Sequence, residues 1–376
     1  MKRLLIAAGG GGDPITAALI HATLHGPDTP ALVLTYAWER LVVDPVPGPR
    51  RVTDFTGTVR VGPELALVTP TTAPIAPVGS LLPRLSGEIG PQLGLLDPYD
   101  GVAGLARQIA AAARWCGTDR IELVDVGGDI VARGDEPTLR SPLGDALAVA
   151  ACAATGIPTT VYVAGPGLDN EVPLPDLLPR LGAPAFALDA GRTRTVSGVF
   201  DWHPSEAGAL LVAAARGIRG VCGTRDAPRP VLLDESARNV HRLSLEQVLE
   251  LSPLARKLAG CTGLDEAEAV SRAVCGFSEI ERERHRAAHA PAPPAPSAPS
   301  APRTPRDAHA VLAQYTAWER VMLDDGLAYV TTRRIVEDLD LTAPEAHALL
   351  AALHATEPAR RVPPLWRLAT EHATVT

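Results

Sequence analysis

The chain has 376 residues, 46% of them apolar and only 4% aromatic, which allows a substantial core built from Ala, Val and Leu. Its formal net charge of −8 at pH 7 excludes a general nucleic-acid or anionic-membrane binder, since both need a basic footprint, but leaves room for a local basic pocket. Five scattered cysteines (Cys116, Cys152, Cys222, Cys261 and Cys275), none at C-x-x-C spacing, indicate neither a disulfide framework nor a zinc site, and nothing points to haem or an iron–sulfur cluster.

Residues 3–8 form a short apolar run, a strand candidate, which ends in Gly9-Gly10-Gly11-Gly12. That stretch is too short and too soon interrupted for a signal peptide, and no run is long enough to span a membrane, so the expected location is the cytoplasm. A helix is expected at 15–24 and a second strand at 31–35. From 45 to 98 the chain is rich in Pro, Thr and Gly, and reads as loops and short strands covering one side of a sheet. Helix 101–116, strand 121–126, helix 143–155, strand 159–164 and helix 205–216 follow, then helical patterns from 243 to 258 and from 265 to 286. Strands alternating with long helices predict βαβ units, hence an α/β, Rossmann-like fold with a mostly parallel sheet and helices on both faces. In such a fold the strand C-termini share one edge, where a site belongs.

Residues 287–305, read as AAHAPAPPAPSAPSAPRTP, cannot pack a core and favour extended polyproline conformations. They divide a body, 1–286, from a tail, 306–376, with helical patterns at 308–324 and 342–354 and Tyr329-Val330-Thr331-Thr332 between them. The tail reads as a small helical or winged-helix-like module, separable from the body. Acidic residues outnumber arginines from Arg306 onward, which disfavours DNA and leaves a protein partner as the module's alternative role.

Three stretches carry possible chemistry. In the first, Gly9, Gly10, Gly11 and Gly12 would let backbone N–H groups approach an anion at a helix N-terminus, with Asp13 as N-cap and Pro14 at the first helical position. The alternative is a tight turn with a capping aspartate and no ligand. Neither a dinucleotide G-x-G-x-x-G nor a P-loop spacing is present. The second stretch, VDVGGDIVARGDE at 124–136 with SPLGD at 141–145, gathers five carboxylates after a strand. Asp125 and Asp129 flank Gly127 and Gly128 and are expected to bind Mg²⁺ or supply a general base, with Asp13 and a bridging Arg133 beside them. Its bland reading is a solvated acidic loop, with Asp145 on the outer face of a helix. In the third, FDWHPSEA at 200–207, Asp201, Ser205 and Glu206 are ligand-binding candidates. The competing reading is packing by Phe200 and Trp202, with Ser205 as an ordinary cap. No G-x-S-x-G or H-E-x-x-H motif supports a serine hydrolase or a zinc enzyme.

Together GGGGD, LDPYDG at 96–101, the 124–147 stretch, FDWHPSEA and VCGFSEIE at 274–281 resemble an uncharacterised prokaryotic family, domain of unknown function 1152, across residues 1–286. The resemblance implies a Rossmann-like fold and brings no reaction. An Ala-, Pro- and Arg-rich composition also resembles that of high-GC bacteria, an association with specialised metabolism. The expectation is an enzyme binding a nucleotide or phosphorylated metabolite, with hydrolysis, group transfer and lyase chemistry all open. A metabolite-sensing or scaffold protein is the alternative.

Overall fold

The computed structural model describes residues 2–225, 227, 229–289 and 306–369. Its centre is a nine-stranded sheet in the spatial order Pro184–Ala187, Asn239–Ser244, Thr159–Ala164, Ile121–Val126, Arg3–Ala7, Ala31–Tyr36, Gln92–Leu96, Leu65–Val68, Val59–Gly62. The five middle strands, Thr159–Ala164 through Gln92–Leu96, are parallel, and the outer strands join through antiparallel pairings. Successive side chains alternate between faces: Leu4, Ile6, Leu32 and Leu34 enter one core, while Leu5, Ala7 and Val33 enter the other. Helices Gly101–Cys116 and Pro142–Thr155 cover the first face, and Asp13–His25 and Glu206–Ala215 the second. Burial on both faces explains why these strands are apolar throughout rather than alternating.

The predicted alternation of strand and helix holds in the body, but two regions differ. Residues 45–98 pack Phe55, Leu82, Leu85 and Ile89 onto one face of the sheet, as expected, but they do more than cover it. They supply the fifth parallel strand, Gln92–Leu96, and the antiparallel pair at one edge. Gly94 obscures that strand in the sequence because it breaks the apolar run. The gap is a packing requirement, since a Cβ at Gly94 would lie 2.6 Å from Leu34 Cδ2. At the other edge Asn239–Ser244 enters antiparallel to Thr159–Ala164.

Chain order reverses at the middle of the sheet. From Arg3–Ala7 the chain moves outward through Ala31–Tyr36 to Gln92–Leu96, then returns to place Ile121–Val126 on the opposite side of Arg3–Ala7. The loops after these two neighbours therefore diverge and leave a crevice.

The tail does not hang apart from the body. Tyr329–Thr331 pairs in parallel with Gly220–Gly223 of the body, and with Val231–Leu233, Leu365–Arg367 and Arg361–Val362 they make a second, five-stranded sheet. Ala308–Asp324 and Ala343–Thr356 fall where helices were expected, and an unforeseen helix, Thr332–Asp338, is started by the Thr331 hydroxyl accepting the Arg334 N–H at 3.1 Å. Helix Glu279–His289 extends three residues into the segment read as a linker, and 290–305 lie outside the described residues. Among the described residues no helix is long and apolar enough to cross a membrane.

Candidate functional site

Above the sheet's crevice lies a cavity of about 950 Å³, walled by residues from the body and the tail. The glycine loop forms part of it. Gly10 and Gly11 have φ of +106° and +51°, a region costly for residues with a Cβ, and a Cβ on Gly11 would meet nothing within 4 Å. Asp13 is not the N-cap. The helix begins at Asp13 itself after Gly12, with Pro14 one position later, and the Asp13 carboxylate turns back to accept the Gly9 N–H at 2.6 Å. A Cβ on Gly12 would lie 1.9 Å from Ser205 Oγ, so this glycine admits the start of helix Glu206–Ala215.

Asp125, at the end of the neighbouring strand, and Asp145, in the first turn of helix Pro142–Thr155, meet Asp13 there. Each of the three offers a carboxylate oxygen within 4.8 Å of the other two. All three are buried, at 7%, 1% and 3% exposure for Asp13, Asp125 and Asp145. Asp145 is thus inside the site and not on the outer face of its helix. Asp125 Oδ2 and Asp145 Oδ1 have no hydrogen-bond partner among the described residues. Burial pushes the Asp13 carboxyl up to about 7 against the pull of the Gly9 and Gly10 amides. It pushes Asp125 and Asp145 well above the carboxylate range, and neighbouring acids push them further. Three oxygens within 4.8 Å of one another are in reach of one divalent cation, whose oxygen ligands at about 2.1 Å lie about 3–4 Å apart.

Asp129 lines the same cavity but stands outside this trio. It follows Gly127 and Gly128, and its own carboxyl is raised by burial and then by Asp145, with Asp125 among the other acids that add to the shift. Gly127 and Gly128 (φ +119° and +113°) do not line the cavity, but they let other groups approach: a Cβ on Gly127 would fall 2.2 Å from Asp169 Oδ2. Of the remaining acids in the loop, Asp135 is exposed, and Glu136 binds Arg180 at 2.7 Å. Arg133 is exposed and lines no part of the cavity, so it cannot bridge the aspartates; Arg40 and Arg140 do line it.

The third stretch divides. Ser205 lines the cavity and caps its helix, accepting the Gly208 N–H at 3.4 Å. Glu206 is buried and turned to the tail, accepting the Thr331 hydroxyl and the Arg225 N–H. Asp201 is an exposed partner of Arg361, away from the cavity. Trp202 donates to Glu88 at 2.7 Å and also lies outside it. His203 does line the cavity; its Nδ1 accepts the Ser205 N–H at 3.2 Å. Burial, with Arg40 nearby, pushes its pKa down to about 3, so it is neutral and carries its proton on Nε2.

Glu39 and Arg40 follow Ala31–Tyr36, Asp169 and Glu171 follow Thr159–Ala164, and Glu279 and Glu283 come from helix Glu279–His289; all six line the cavity. Reading the loops after every parallel strand would have found the first four. Glu279 and Glu283 lie too far along the chain for any such rule. Carboxylates outnumber arginines among the lining residues, so a bare anion would be repelled.

No curated protein and no solved structure matches the chain. A family model does: the chain belongs to the family described as protein of unknown function (DUF1152), matched over residues 4–287.

Proposed function

We propose that this chain is a divalent-cation-dependent enzyme acting on a nucleotide or another phosphorylated small metabolite. The observation that carries this reading is the buried trio Asp13, Asp125 and Asp145, with two carboxylate oxygens lacking hydrogen-bond partners. Buried polar atoms are ordinarily paired, and three adjacent buried carboxylates repel one another unless protons or a cation intervene. Mg²⁺ bound by these oxygens would neutralise them and attract a phosphate to the glycine loop at Gly11, where a side chain would meet open space. Asp129, an acid neighbour of Asp125 in the same cavity, is assigned the general base, with neutral His203, which also lines the cavity, as a donor. Hydrolysis, group transfer and lyase chemistry all remain compatible with this arrangement.

The order of the five parallel strands, 3-2-1-4-5 when numbered among themselves, supports a Rossmann-like classification, with the site at the reversal point. The tail's succession of helices and a terminal two-stranded hairpin favours a winged-helix-like module. Five cysteines without disulfides agree with a cytoplasmic protein. A second reading, a non-catalytic metabolite sensor whose tail engages a protein partner, draws support from tail residues lining the cavity.

The test is calorimetric titration of Mg²⁺ and Mn²⁺ into the full chain and its Asp145→Asn variant, followed by nucleotides and sugar phosphates with and without metal. Metal binding weakened at least tenfold in the variant, and phosphate binding that needs metal, are expected. Equal phosphate binding in EDTA sinks the metal reading. Metal-dependent binding with no turnover by ³¹P NMR favours the sensor.

A further inference from the structure

A trio of carboxylates and a glycine loop suffice for a cation and one phosphate, but the cavity of about 950 Å³ is much larger. What fills the rest is indicated by its lining. Leu41 and Val42, in the turn after the second strand, line it, and Val42 remains 61% exposed. The tail contributes Val336, from helix Thr332–Asp338, and Leu341, in the turn that follows. Leu41, Val336 and Leu341 are half-buried, so all four present apolar surface to a cavity whose remaining walls are mainly charged.

The tail wall is held in place by several contacts. Glu206, 4% exposed, accepts the Thr331 hydroxyl immediately before the helix, and Arg334 donates to the Thr224 carbonyl at 3.0 Å. Arg225 pairs with Glu337 at 3.3 Å on the same helix. Parallel pairing of Cys222 with Tyr329 and Gly223 with Val330 ties this clasp to the second sheet. Val336 and Leu341 are therefore wall residues of the body's cavity, in addition to being part of the tail's own fold.

We propose that the ligand is a phosphoester carrying an apolar substituent, a nucleobase or an alkyl chain, and that Leu41, Val42, Val336 and Leu341 receive that substituent, making the tail a specificity wall of the site. This rests on the phosphate reading of the trio and the glycine loop. Burying apolar area on these side chains would tighten binding about fourfold per buried methylene, up to the length the cavity accepts.

The experiment uses the full chain, Mn²⁺, and straight-chain alkyl phosphates from methyl to hexyl, with nucleoside monophosphates as a second series. The expected result is that affinity rises along the alkyl series, and that Leu341→Asp and Val42→Asp both flatten the rise without changing Mn²⁺ binding. If the nucleotides bind better than the alkyl series while the variants weaken them, the substituent is a base. Val42, already mostly exposed, keeps the test available should Leu341→Asp unfold the tail. Normal Mn²⁺ binding with a flat series in the parent, or an equal slope in both variants, overturns the specificity wall alone. Loss of Mn²⁺ binding in the parent overturns the metal reading beneath it.

Discussion

The Gly9 amide donates to the Asp13 carboxylate at 2.6 Å, closing the glycine loop onto the first residue of the helix it introduces. One loop amide is thereby committed inside the protein. The same contact fixes Asp13 beside Asp125 and Asp145, so the loop helps to assemble the carboxylate trio proposed to bind a cation.

Removing one of the two carboxyls that carry an unpartnered oxygen separates cation binding from folding. Asp145→Asn keeps the side chain's shape and removes a carboxyl that burial and its acidic neighbours force to hold a proton. At pH 7 the metal-free variant should be more stable than the parent by about 1–3 kcal/mol, because Asn has no ionisation for burial to suppress. Its Mn²⁺ affinity should fall at least tenfold. Thermal melts with EDTA and with Mn²⁺ check both; a variant less stable than the parent in EDTA means Asp145 serves packing alone.

Glu39 gives the metal-free protein a pH dependence. Burial raises its carboxyl from 4.5 to about 7, so the folded state holds a proton that the unfolded chain has released. Stability from this group is complete below about pH 4.5, declines as pH rises towards 7, and is level above it. Glu39→Gln should flatten the fall in melting temperature between about pH 4.5 and 7. An unchanged slope in the variant would assign the dependence to other groups.

Gly11 tests the open face of the loop. Its φ of +51° makes Gly11→Ala cost about 1–2 kcal/mol, while the new methyl would point into free space. The fold should therefore survive and metal-dependent phosphate binding should be lost. Full binding in a folded variant would leave the loop as a turn only.

A protease site inserted within 290–305 tests how the tail is held. After cleavage the two pieces should co-elute on gel filtration, because the shared sheet and the Glu206–Thr331 clasp join them without the intervening segment. Elution as separate species would show that the connection itself supplies the association. Thr331→Val removes the clasp hydroxyl and the helix cap together, and should lower the melting temperature by the equivalent of about 1–2 kcal/mol.

Much of the body was legible in the sequence because its determinants are local. Apolar runs at 3–8, 121–126 and 159–164, glycines after the first two, and helices bounded by Pro142 and Gly156 each specify their segment from within a few residues. Asp13, Asp125 and Asp129 were legible for the same reason, as polar residues next to glycines at strand ends. Arg133 and Asp201 carried similar local signals, and the tertiary structure leaves both outside the cavity. Asp145 looked like the polar face of a helix until the helix was placed with its first turn against Gly9, where a Cβ on Gly144 would lie 3.0 Å from the Gly9 carbonyl oxygen. Glu279, Val336 and Leu341 reach the cavity from segments more than 130 residues away from Asp145 or the glycine loop. Their positions depend on which helix covers which face and on the pairing of Gly220–Gly223 with Tyr329–Thr331. Local sequence determines where a strand ends and a helix starts; burial, charge proximity and the shape of a cavity arise only when distant segments exclude water from the same space.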